Sequence, residues 1–164
     1  MAVFNKFSVF LDGLTGGGMD LLGTGAACDD IFVMLMVPGA PTPPLITDTV
    51  LVCSTDPATL TGSGVSEIAA GNGYVHLGTD AVVTGARVTT TYTLTGTNMT
   101  WTSSGAGMAS FRYVVVYNAT FSAGATRTPI GWWDYASTLT LAAGETFTVK
   151  FDNQAVTGAI LTII

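Results

Sequence analysis

From Asp30 onward the hydrophobic and polar positions of this chain alternate with a period of two. That is the spacing of a pleated strand, whose successive side chains point to opposite faces. The clearest case is 146–151, where Phe147, Val149 and Phe151 fall on one side and Thr146, Thr148 and Lys150 on the other. Residues 87–95 repeat the scheme, with Val88, Thr90, Tyr92 and Leu94 facing one way and Thr89, Thr91, Thr93 and Thr95 the other. After the turn Gly96-Thr97-Asn98, residues 99–102 alternate again, which predicts a hairpin with 87–95.

Other strands are apolar on both faces. Residues 111–117 (Phe-Arg-Tyr-Val-Val-Val-Tyr) read as a central strand of a packed sheet, and 31–37 as a second buried one. Further strands are expected at 49–53, 73–77, 129–135, 137–141 and 159–164. Residues 54–72, rich in Gly, Ser, Thr and Ala, read as a long surface loop, and 38–44 as a rigid Pro-rich connection. No segment after residue 30 holds a helical period. Before it, Phe4, Phe7, Phe10 and Leu11 recur at near-helical spacing until Gly16-Gly17-Gly18 breaks the pattern. A short helical turn or an extended arm fits that opening equally well.

Short strands joined by Gly-rich turns predict an all-β, two-layer sandwich, jelly-roll-like or immunoglobulin-like, over residues 29–164. Residues 1–28 would form an N-terminal arm or short helical segment. At 164 residues the chain suits a single domain with a proper core.

Composition changes the picture in one respect. Only 10% of residues are charged, against about 25% in an average domain, while 48% are hydrophobic and mean hydropathy is +0.51. A membrane helix needs about 18 consecutive apolar residues, and the run at 31–37 stops at Pro38-Gly39. The N-terminus lacks the basic and apolar regions of a signal peptide. The expectation is a soluble chain that never crosses a membrane. Its apolar surplus is divided between a core and partner surfaces, and its threonines wet the sheet exterior without charge. Net charge is −6, and Lys6, Arg87, Arg112, Arg127 and Lys150 are scattered. No direct nucleic-acid binding is expected, because phosphates need clustered cations.

The chemistry-bearing residues form no constellation. His76 is the sole histidine and lies in a strand-like stretch, where a structural role outweighs that of a lone general base. Ser66-Glu67 and Ser137 lack a nucleophile elbow, and Gly16-Gly17-Gly18 lacks the Gly-Lys-Ser/Thr of a phosphate loop. Asp12, Asp20, Asp29 and Asp30 match no calcium loop. The two cysteines, Cys28 and Cys53, form no CxxC, and a disulfide between them stays open. No enzyme, cofactor or metal is expected.

Three segments carry a resemblance: 110–118 (Ser-Phe-Arg-Tyr-Val-Val-Val-Tyr-Asn), 128–135 (Thr-Pro-Ile-Gly-Trp-Trp-Asp-Tyr) and 141–151 (Leu-Ala-Ala-Gly-Glu-Thr-Phe-Thr-Val-Lys-Phe), joined by Gly71-Asn72-Gly73-Tyr74. Together they resemble small structural proteins of tailed bacteriophages. The Pro-rich stretch at 38–44 departs from the shorter polar loop of that pattern. The resemblance implies a capsid decoration (cement) protein on the outer surface of the virion, made in the host cytoplasm. Its partners would be the major capsid protein and its own copies as dimer or trimer, with no membrane. A tail or head-fibre component is the structural alternative. A carbohydrate-binding module using Trp132 or Trp133 is the alternative of another class. Candidate assembly contacts are Phe4, Phe7, Phe10, Leu11, Trp132 and Trp133, and removal of 1–18 is expected to abolish shell binding while leaving the β fold intact.

Overall fold

A computed structural model describes residues 3–16, 19–21, 29–37, 43–120, 125–151 and 157–163, with 84–88 and 157–163 described by backbone alone. The pairing of Cys28 and most of the Pro-rich stretch at 38–44 lie outside the described residues. The fold is all-β, with antiparallel sheets packed in a sandwich-like arrangement and one helix among the described residues. That helix has eight residues, so no described helix is long enough to cross a membrane.

The central strand predicted from 111–117 is β9 (Met108–Asn118). It is hydrogen-bonded on one side to β2 (Ile31–Met36) and on the other to β10 (Thr126–Leu141). The residues sort by parity, as a pleat requires. Val114 and Val116 of β9 join Ile31, Val33 and Leu35 of β2 in one core. Tyr113, Val115 and Tyr117 join Met34 and Met36 in the other. A sheet buried on both faces needs apolar residues at every position, and each such side chain contributes about 1.5–3 kcal/mol by leaving water.

The first core is closed by two smaller sheets. One pairs β8 (Met99–Thr102) with β11 (Thr146–Val149). The other orders β12 (Thr157–Ile163), β7 (Thr91–Thr97) and β6 (Thr84–Val88). Leu94, Met99, Trp101, Phe147 and Val149 point from β7, β8 and β11 onto the central sheet. Thr100, Thr102, Thr146 and Thr148 take the opposite side, and Thr100 Oγ1 lies 2.8 Å from Thr148 Oγ1 across the pair. The second core is closed by β3 (Leu51–Val52) and β4 (Thr59–Leu60), which extend the sheet beyond the start of β10. At the other edge, β5 (Thr79–Asp80) pairs with Phe32 and Val33.

Several strand and loop expectations are corrected. The strand at 87–95 is two strands: β6 ends at Val88, Thr89 takes a positive φ of 55°, and β7 returns with Val88 opposite Thr91. Threonine alternates through the reversal, so the pattern hides it. Consequently β7 pairs with β6 and β12, and β8 with β11, rather than with each other. Residues 54–72 are not a surface loop, because Ala58, Leu60, Val65 and Ile68 are all 0% exposed. Residues 73–77 make a turn instead of a strand, with Asn72 and Leu77 at positive φ.

The opening segment is built into the domain instead of standing off as an arm. Phe4 starts β1 (Phe4–Lys6), which pairs with Trp133, Trp132 and Gly131 at the middle of β10. Gly131 is required there, since a Cβ would meet the Phe4 ring at 2.2 Å. The chain then turns at Phe7, whose N–H donates to Ile130 O, into α1 (Ser8–Thr15). Phe10 and Leu14 face the first core from α1, while Phe7 enters the second.

Candidate functional site

The densest polar chemistry in the described structure surrounds Glu67. Its backbone bridges Met36 at the end of β2 and its N–H donates to Ala58 O at 2.7 Å. The chain there alternates Val65 in and Ser66 half-out, so Glu67 follows inward beside Ile68 and is 1% exposed. A carboxylate so deep must have every lone pair engaged.

The partners come from two loops. Oε1 accepts from the Tyr74 hydroxyl at 2.7 Å and from the Leu77 N–H at 2.6 Å. Oε2 accepts from the Ala58 N–H at 3.2 Å and lies 2.7 Å from His76 Nδ1, which is also 3.5 Å from Asp56 Oδ1. The imidazole lies close to the carboxylate without an aligned hydrogen bond from Nδ1. Tyr74 accepts in turn from the Leu35 N–H of β2 at 3.2 Å, and Tyr117 donates to Leu77 O at 2.7 Å. Leu77, at φ 69°, is therefore held through both its N–H and its C=O. Gly78 follows at φ 74°, where a Cβ would stand 2.0 Å from Val33 O. Only glycine lets the turn lie this close to β2.

The electrostatics make this a clamp. Burial first, then the Glu67 charge, pushes the Tyr74 phenol far above its usual range, so it stays a donor. Tyr117 is raised for the same leading reason, with Cys53 and Glu67 adding to it. The Cys53 thiol is pushed up to about 11 by burial, against the pull of Arg127. A thiol held protonated is a poor nucleophile. Thus the thiol that shares this end of the fold with His76 and Glu67 is not an activated one. No group of His, Cys, Asp and Glu among the described residues is arranged to hold a metal. What the clamp supplies is a rigid turn whose outermost side chain, Val75, is 68% exposed.

The sequence-predicted contact residues lie elsewhere and are mostly spent on the fold. Phe7 and Phe10 are 0% exposed. Trp132 is buried against Phe7, with ring centroids 4.5 Å apart. Phe4 packs on Trp133 at 4.6 Å, and Trp133 also meets Phe151 at 6.0 Å. Trp132 and Trp133 do point to opposite faces of β10, and each already has aromatic neighbours, so neither offers a bare platform for a sugar ring. Of that set, Leu11 stands free, at 50% exposure. Sequence reasoning missed Ile46, 61% exposed, whose carbonyl accepts from the Ser8 N–H at the start of α1. It weighed Glu67 only beside Ser66 as a nucleophile elbow, although a lone carboxylate among small apolar residues, in a chain this poor in charge, is the signal that marks a buried site.

No family model matches the chain, and neither a curated protein nor a solved structure does.

Proposed function

We propose that this chain is a structural protein of a tailed-phage virion, a capsid decoration protein that docks on the outer shell and stabilises it. The observation that carries the reading is a set of exposed apolar side chains on α1 and on the loop tied to its start. Leu11, Leu45 and Ile46 are exposed there, and the Ser8–Ile46 hydrogen bond fixes the loop against the helix. A rigid apolar surface binds with little ordering cost. Several copies, each making a modest contact, gain avidity when they engage together. The resemblance adds support, because its three segments fall on β9, β10 and β11, the strands that build the main core. Leu11 replaces the buried phenylalanines as the contact residue of the N-terminal segment. The major capsid protein is the partner, and the chain associates with its own copies as dimer or trimer.

Co-sedimentation with purified capsid shells tests this. The wild-type chain pellets with shells, while Leu11→Asp and Ile46→Asp stay in the supernatant with unchanged circular dichroism. Pelleting of both variants at the wild-type level refutes the surface. Electron microscopy that places the chain on the tail refutes the shell assignment.

A further inference from the structure

The pair Asn72-Gly73 sits at the tip of a two-residue hairpin turn. Gly71 and Tyr74 exchange both backbone hydrogen bonds, at 2.9 and 3.0 Å. Asn72 has φ 51° and Gly73 φ 96°, the left-handed pair that favours Asn-Gly in such turns. The tip is docked on a second turn, at 104–107. Asn72 Nδ2 donates to Gly107 O at 2.8 Å, and the backbone carbonyl of Asn72 accepts from the Ser104 N–H at 2.9 Å. The fit is close: a Cβ on Gly73 would stand 1.9 Å from Thr102 O, and one on Gly105 would stand 2.8 Å from Asn72 Oδ1.

Asn-Gly is also the dipeptide whose amide cyclises most readily, because glycine shields the following backbone nitrogen least. Among the asparagines of this chain, Asn72 alone precedes a glycine. We infer that Asn72 is a spontaneous deamidation site gated by its own docking contact. The Gly73 nitrogen attacks Asn72 Cγ, the new N–C bond forms, and Nδ2 leaves as ammonia with the displaced proton. Water then opens the imide at either carbonyl, giving Asp or isoAsp.

While Nδ2 is held on Gly107 O, closure of the ring waits for the two turns to separate. Either product loses the donor to Gly107 and sets a carboxylate against a carbonyl. IsoAsp also lengthens the backbone of a two-residue turn. The damage runs on to Tyr74, the next residue, whose hydroxyl serves Glu67 and Leu35.

The test uses the full chain at mildly alkaline pH, folded and in denaturant, with peptide mapping that separates Asn, Asp and isoAsp. Asn5, Asn98 and Asn118 are internal references. In denaturant, position 72 converts faster than all three. In the folded chain its conversion is at least about ten-fold slower, the cost of a local opening. The converted protein, and Asn72→Asp, exchange the Ser104 and Gly107 amide protons faster than wild type. Equal rates folded and unfolded overturn the gating. Conversion at 72 no faster than the references in denaturant overturns the site, and unchanged Ser104 and Gly107 exchange overturns the coupling.

Discussion

His76 Nδ1 sits 2.7 Å from Oε2 of Glu67, a carboxylate whose side chain is 0% exposed. The histidine side chain is 28% exposed, so the imidazole keeps contact with solvent while the carboxylate does not. The weight of the contact lies with what Glu67 does for Tyr74, Leu77 and Ala58, which lose their acceptor if it goes.

Glu67→Ala is therefore expected to cost about 3 kcal/mol or more, the range for breaking a buried charged network. In a chain of this size that is a fall in Tm of about 6 °C or more. Glu67→Gln keeps an acceptor for Tyr74 and Leu77 and falls less. Thermal unfolding of both variants checks this, and equal losses would assign the effect to charge instead of hydrogen bonding.

Cys53 should resist alkylation. With its thiol pushed up to about 11, at pH 8 it carries about a hundred-fold less thiolate than an ordinary cysteine. Iodoacetamide labelling read by peptide mapping, which separates Cys53 from Cys28, gives the rate. The protonated thiol's contribution is complete below the unfolded pKa and is lost as pH rises toward 11.

Asp134 behaves in the opposite sense. Arg112 grips it with two hydrogen bonds, Nε to Oδ1 at 2.8 Å and Nη2 to Oδ2 at 2.9 Å. That grip, opposed by burial and aided by the Ala136 N–H, lowers its pKa. Its contribution is present above the ordinary carboxylate value, about 3.9, and is lost as pH falls through the lower folded value. NMR titration of the carboxyl should give a midpoint under about 3.9, moving up in Arg112→Ala. An unmoved midpoint would show that the arginine is not the cause.

Phe7 tests whether the N-terminal segment is structural. It is 0% exposed against Trp132, so Phe7→Ala should cost about 3–5 kcal/mol, the range for a large core deletion. Removing residues 3–16 strips β1 from β10 together with both buried phenylalanines. The shortened chain is expected to lose its cooperative transition in circular dichroism. A transition like that of the full chain would restore the picture of a separable arm.

The sequence by itself determined the class of fold and its most buried parts. Period-two alternation placed 146–151, and the double-faced apolar runs at 31–37 and 111–117 placed β2 and β9, because burial acts on each side chain through its own parity along a strand. Pattern cannot register a reversal that falls inside an unbroken alternation, so the Thr89–Thr90 turn between Val88 and Thr91 stayed hidden. Nor can local spacing say what a helix or turn lies against. Only the tertiary structure decided that Phe7 belongs with Trp132 and Phe4 with Trp133, that Leu11 faces outward, and that Glu67 gathers Ala58, Tyr74, His76 and Leu77. Those partners are brought together by the pairing of β1 with β10 and the folding of two loops onto β2. Contacts of that kind depend on where distant segments end up, which no periodicity along the chain encodes.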